Sequence, residues 1–259
     1  MQTHDTPMDE PEAFESIVGT DDRFAPDNIE DNLWRPVCAV FFNVPGQRQG
    51  FLGSGVVIGR RLVLTAAHNL FDLNSKQPIM GGDVRVGVKN GTSQASSPIS
   101  MVQVLKRYQK RKPNDDRKYN DDFGLILLQN DDVNDWVGDE NVWPVESMVP
   151  PNKKTLSSSS LIVAGYPADD GERGAELKLS KGPTKKGSIT SKTFAYEMDT
   201  TQGQSGGPVF SYDEATNKVA LAGVHVAGFG QSGNVANRFK PNMKTQIQTW
   251  TNKLLNVGA

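Results

Sequence analysis

The apolar residues of this chain come in short, β-branched runs closed off by turn residues, and that pattern leaves few folds open. VCAVFFNV (37–44) leads into PGQRQG (45–50), a turn, while FLGSGVVIG (51–59) and RLVLTA (61–66) flank Gly59-Arg60-Arg61 as the arms of a hairpin. DVRVGV (83–88) alternates with period two, as a half-buried strand does. FGLILL (123–128) reads as a buried strand, and LIVAGYP (161–167), AYEMD (195–199), GPVFS (207–211) and KVALAGVHVAG (218–228) extend the series. Many short strands and few helices predict an all-β fold, a barrel or a sandwich. The end of the chain is the exception. From Pro241 onward, Met243, Ile247, Trp250 and Leu254 fall on one face of a helix docked on the body, with Pro241 suited to its first turn.

Length and composition bound the rest. The 259 residues suffice for one large domain or two small ones sharing an interface, and 36% apolar with 22% charged residues is ordinary for a globular chain. The longest apolar runs are about six residues against the roughly 20 that a membrane helix needs, so no membrane partner is expected. One cysteine, Cys38, excludes an intrachain disulfide and a Cys-based zinc site, and its apolar neighbours make it a buried small hydrophobe. No metal and no cofactor is expected. Residues 1–31 hold ten acids and one base, which is −9, so the remainder of a chain of net charge −2 carries +7. Residues 1–15 are expected to be an acidic arm or pro-segment. The opening MQTHDTPMDEPE lacks the basic start and apolar core of a secretory signal. The expectation is a protein that stays inside the cell or one whose signal has been removed. KRYQKRKPNDDRKYN (106–120) reads as a solvated loop rather than a nucleic-acid surface, since the pI is about 6.0. PPNKKTLSSSS (150–160) reads as a linker between two halves.

Residues 203–210 read GQSGGPVF, with Ser205 among three glycines. Three readings compete: a polar turn, the G-x-S-x-G elbow of α/β-hydrolases, and another kind of nucleophile. A serine hydroxyl needs a base to take its proton, and the base needs an orienting acid. Of the three histidines, His4 lies in the acidic arm, His68 in LTAAHNLFDL at the end of a strand, and His225 in AGVHVAG. The α/β-hydrolase order would force Ser205, Asp213 or Glu214, and His225 into about twenty residues and would need a doubly wound sheet, which the pattern lacks. The order His68, Asp122, Ser205 is the chymotrypsin-type order, and Asp122 immediately precedes an apolar strand, where a buried carboxylate can orient an imidazole. Asp121 is the rival acid, and strand alternation would send the two carboxylates to opposite faces.

At these residues the chain resembles the chymotrypsin-like serine peptidases. LTAAHN is similar to the T-A-A-H-C segment around their base, with Asn69 in place of the cysteine; DFGLILL to their D-x-A-L strand; and GQSGGPVF to G-D-S-G-G-P, with Gln204 in place of the aspartate. The resemblance covers roughly residues 17–252. It implies two packed antiparallel β-barrels, residues 16–150 and 151–240, with the site between them and the helix of 241–259 on the body. An uncharged Gln204 cannot form the ion pair with a new N-terminus that matures trypsin-like zymogens. That departure, the missing disulfides, and the segments ESIVGTDDR, VAGYP, YEMDTTQGQSG and AGVH resemble the glutamyl endopeptidase branch.

The resemblance implies a serine endopeptidase acting on polypeptides as a monomer, with His68 as base, Asp122 orienting it, Ser205 as nucleophile, and the Gly203 and Ser205 N–H groups as oxyanion hole. It also implies secretion, which this N-terminus does not itself signal. Thr200 and His225 would line the pocket for the substrate side chain; both are donors, which a glutamate carboxylate needs. Asp199 sits where trypsin keeps its arginine-binding aspartate, so preference for basic residues is the alternative. A catalytically silent binding module on the same scaffold is another. Cleavage after Glu15 would shed the acidic arm and leave a Ser16 amine available to a bound glutamate.

Overall fold

The computed structural model describes residues 16–43, 50–79, 81–143, 148–169, 174–214 and 218–257. The strands of the first half are β1 (Val37–Phe42), β2 (Phe51–Gly59), β3 (Leu62–Thr65), β4 (Phe71–Asp72), β5 (Gln77–Pro78), β6 (Gly82–Val86), β7 (Ala95–Val104) and β8 (Gly124–Leu128). Six of them close an antiparallel barrel in the order β1-β2-β3-β8-β7-β6, and β4 and β5 form a small separate ladder. The second half comprises β9 (Ser160–Gly165), β10 (Lys178–Pro183), β11 (Thr193–Tyr196), β12 (Pro208–Asp213), β13 (Lys218–Gly228) and β14 (Asn234–Arg238). These form one sheet in the order β10-β9-β12-β13-β14-β11. Among the described residues its two ends meet at an isolated bridge between Thr184 and Tyr196. The fold is therefore all-β and chymotrypsin-like, one closed barrel beside a sheet curled nearly into a second.

The apolar pattern explains this arrangement. Leu125–Leu128 are all buried because β8 has the barrel interior on one side and the rest of the protein on the other. One continuous core joins the barrel, the outer face of the second sheet and the C-terminal helix; a smaller core around Val163, Tyr196 and Val209 fills the curl of that sheet. The β2–β3 hairpin turns at Arg60-Arg61 as the sequence suggests. Arg61 takes a left-handed φ of 60° and is held there by its N–H on Asn134 Oδ1 (2.7 Å) and its guanidinium on the Leu128 carbonyl.

Among the described residues three short α-helices, α1 (Lys106–Gln109), α2 (Asp132–Val137) and α3 (Lys153–Ser158), precede the longer α4 (Pro241–Val257). In α4 the stripe of Met243, Ile247, Trp250 and Leu254 is buried, and the Trp250 ring packs 5.5 Å from Phe123, directly behind Asp122. Each such side chain contributes about 1.5–3 kcal/mol by burial.

Two segments differ from the sequence reading. Residues 106–120 are not merely a solvated loop: α1 buries Tyr108, and a 3-10 turn spans Asp116–Asp121. The presumed linker at 150–160 holds α3, capped by Asn152 Oδ1 on the Thr155 N–H (2.9 Å) and anchored by the buried Leu156. In both, one apolar residue among charged or hydroxyl residues supplies the anchor. Strands β7, β10 and β14 are legible only in the structure. Their Ser97, Ser180, Asn234 and Asn237 are buried, and such polar residues read as surface in the sequence.

Candidate active site

β3 and β8 lie side by side, with Thr65 opposite Gly124. The chain leaving β3 enters a 3-10 turn, Ala67–Asn69, which carries His68; the chain entering β8 carries Asp122. The strand pairing thus delivers the two side chains to one barrel end. Asp122 Oδ1 accepts the His68 backbone N–H at 2.9 Å, and Oδ2 meets His68 Nδ1 at 2.8 Å. The buried carboxylate thus grips His68 at both backbone and ring, an arrangement that suits a proton on Nδ1 with Nε2 on the opposite side of the ring. Asp121 points elsewhere, to Arg107 (2.6 Å) and Arg111 (3.0 Å). The separation is not strand alternation, because Asp121 ends the 3-10 turn and Asp122 caps it before β8 begins.

Ser205 stands on the loop before β12 and is almost fully buried. Its carbonyl accepts from the Ser54 N–H (2.8 Å) and from Asn69 Nδ2 (2.8 Å), so the residue after His68 ties the barrel to the serine loop. Gly203 has φ 100°, and a Cβ there would lie 2.6 Å from the Tyr166 carbonyl oxygen; Gly206 has φ 87°, and a Cβ would meet Thr65 Oγ1 at 2.1 Å. No other residue fits either position. Among the described residues no acceptor takes the Gly203 N–H. The Ser54 hydroxyl completes the brace, donating to the Gly203 carbonyl (2.8 Å) and accepting from the Tyr166 N–H (2.8 Å).

Beside this loop lie the residues expected to line a pocket. Thr200 is fully buried, and its hydroxyl has no hydrogen-bond partner among the described residues. His225, on β13, is fully buried, with Nδ1 2.5 Å from the Tyr196 hydroxyl. Burial pushes its pKa down to about 3, the charge of nearby His68 adds to that, and a hydrogen bond with the Val235 backbone works the other way. The ring is therefore neutral near pH 7. Asp199 is buried and committed: Oδ1 accepts the Val18 N–H (2.6 Å) and Oδ2 the Asp22 N–H (2.9 Å). Ser16 is buried next to Thr200, its carbonyl accepting the Thr200 N–H (3.1 Å), its N–H donated to Asn234 Oδ1 (3.1 Å) and its hydroxyl accepting from Gly230. Glu15 lies outside the described residues. None of the described residues forms a His, Cys, Asp and Glu cluster fit for a metal, and no helix among them is long and apolar enough to cross a membrane.

The sequence model of the trypsin family matches residues 29–253. The chain belongs to the trypsin family. It is accordingly a serine endopeptidase of the chymotrypsin fold, and its substrates are polypeptides. A glutamyl endopeptidase of Bacillus licheniformis is 26% identical over 261 residues, covering 95% of this chain and 72% of the relative. Among solved structures, a Glu endopeptidase in complex with MPD superposes with a TM-score of 0.71 at 18% identity, over 90% of this chain and 98% of that one. The thermostable serine protease AL20 from an extremophilic microorganism gives 0.60 at 21% identity, over 78% and 89%. At these identities the structural likenesses speak for the fold.

Three residues of this trypsin-family site escape a reading by motif. Asn69 shows in the sequence only as a missing cysteine, yet it carries the tie to Ser205. Asn234 binds both Ser16 and the Met198 carbonyl (2.8 Å) from a strand with no apolar signature. Arg23 follows the tempting IVGTDD and is masked by it.

Proposed function

We propose that this serine endopeptidase cleaves after glutamate, with His68, Asp122 and Ser205 as its triad. As the Ser205 hydroxyl attacks the peptide carbonyl, its proton passes to His68 Nε2 and then to the leaving amine. Water hydrolyses the resulting ester with His68 again as base. Asp122 orients the ring and stabilises its cationic form. The N–H groups of Gly203 and Ser205 meet the developing oxyanion, one such donor being worth about 3–4 kcal/mol.

The observation that carries the specificity is the state of Asp199. A pocket for arginine or lysine needs a carboxylate facing the substrate, and both oxygens of Asp199 are engaged by backbone N–H groups of the N-terminal segment. What remains is the buried Thr200 hydroxyl, unengaged among the described residues, and a neutral His225, which suit an acceptor. Neither brings a positive charge, and a buried carboxylate needs one. Cleavage after Glu15 would supply it as the Ser16 ammonium, on the residue whose carbonyl accepts the Thr200 N–H (3.1 Å).

A peptide library scored at the cut site tests this reading. The expected result is cleavage after Glu, favoured over Gln and Arg by about two orders of magnitude, with Thr200→Val eroding the preference. Cleavage after Arg or Lys would overturn it.

A further inference from the structure

Trypsin-type enzymes organise the serine loop through a charge directly before the nucleophile, and here that position is the uncharged Gln204. Its side chain is nevertheless fully buried, and Oε1 accepts from the Thr201 N–H (3.0 Å) and from Arg23 Nη1 (3.3 Å). The same Nη1 also binds the Thr201 hydroxyl. On its other edges the Arg23 fork is taken by two carboxylates: Nε and Nη2 by Asp21 (2.9 and 2.7 Å), and Nη2 and Nη1 by Asp169 (2.5 and 3.4 Å). Only 6% of the side chain is exposed.

Asp21 belongs to the N-terminal segment itself; Asp169, Thr201 and Gln204 belong to two loops that meet at Gly203. Asp169 closes the segment 166–169, whose Ala168 N–H is donated to the Gln202 carbonyl (2.6 Å) and whose Tyr166 carbonyl leaves no room for a side chain at Gly203. Thr201 and Gln204 bracket Gly203 in the chain. A planar guanidinium with five donors is the one side chain that can hold two carboxylates, a hydroxyl and an amide oxygen in a single plane. Burial would lower its pKa, but the Asp21 and Asp169 carboxylates more than offset that, so it remains charged.

We infer that Arg23 is a positioning residue: it clamps the 201–204 loop against the 166–169 loop and so aims the Gly203 N–H at the oxyanion. The N-terminal segment thereby does by guanidinium what an ammonium–aspartate pair does elsewhere in the family. Asp199 shares in the arrangement, since the Val18 and Asp22 N–H groups seat the segment that presents Arg23. The inference rests on the reading of Ser205 as nucleophile and Gly203 as oxyanion donor.

The test uses the full chain and its Arg23→Ala, Arg23→Lys and Asp169→Asn variants. Arg23→Ala should lower kcat about tenfold or more with KM within about twofold, because a misdirected oxyanion donor weakens the transition state rather than substrate binding. Affinity for a peptide boronic acid, which mimics the tetrahedral state, should fall with kcat, while affinity for a product peptide holds. Added guanidinium should restore part of the rate, and Arg23→Lys should not behave as wild type, since an ammonium cannot fork. Should Arg23→Ala fail to fold, Asp169→Asn on the outer side of the fork should show the same split, only smaller. Unchanged kcat in the folded variants, or equal losses of kcat and product-peptide affinity without rescue, would overturn the clamp. A wild-type protein that no fluorophosphonate labels would instead overturn the reading of Ser205; labelled wild type with an Arg23→Ala variant of equal turnover would overturn the clamp alone.

Discussion

His68 and Asp122 flank the paired ends of adjacent strands, β3 and β8, of a closed barrel, whereas Ser205, Gly203 and Thr200 come from loops of a sheet whose ends touch at a bridge. The first pair needs little beyond the β3–β8 ladder: once Thr65 faces Gly124, the carboxylate reaches both the ring and the backbone of His68. The second group is held by contacts from far along the chain. Asn69 and Ser54 of the barrel bind the Ser205 carbonyl, Ser16 binds the Thr200 N–H, and Arg23 binds Thr201 and Gln204. A closed ladder fixes geometry by itself, while an open sheet leaves loops that other segments must brace.

That contrast can be broken in order of effect. The largest is at the barrel end: Asp122→Asn should lower kcat about ten-thousandfold by inverting the imidazole tautomer, with the fold intact. Asp121→Asn, one residue away, should leave kcat nearly unchanged and lower thermal stability instead, because it strips Arg107 and Arg111 of a buried partner. Steady-state kinetics on both variants checks this, and equal losses of kcat would erase the distinction between the two acids. The Arg23 variants, at about tenfold, come next and probe the loop side.

The smallest effect is one of pH. His225 has a folded pKa of about 3 against an ordinary 6.5, because burial disfavours its charged form. Below the higher value the unfolded chain takes up a proton that the folded chain refuses. The stability is thus whole above pH 6.5 and is lost progressively as the pH falls toward 3. Urea midpoints from pH 7 to 4 should fall more steeply for wild type than for His225→Gln, and parallel curves would remove His225 from the account.

Much of this was legible in the sequence, for a physical reason. Strands such as β1, β3 and β8 are nearly all apolar because both their faces are buried, and GQSGGPVF is constrained by glycines that no other residue could replace. The α4 stripe follows the helical period without interruption. What stayed hidden was polar. Strand β14 reads NVANR, yet its Asn234 and Asn237 are buried, the latter with its Nδ2 donating to the Tyr119 carbonyl at 2.6 Å. Asp199 had the letter of a basic-specificity pocket, and only the seating of Val18 and Asp22 shows it to be engaged. A residue type announces what it can bind; which partner it has found depends on contacts nearly two hundred residues apart.

The central claim is that the two halves converge on Ser205 as nucleophile, and fluorophosphonate labelling followed by peptide mapping tests it most directly. The account predicts one label, on Ser205, abolished by Ser205→Ala together with an about millionfold loss of turnover in a variant that melts like wild type. A folded wild-type protein that takes no label, or takes it at another residue, would contradict it.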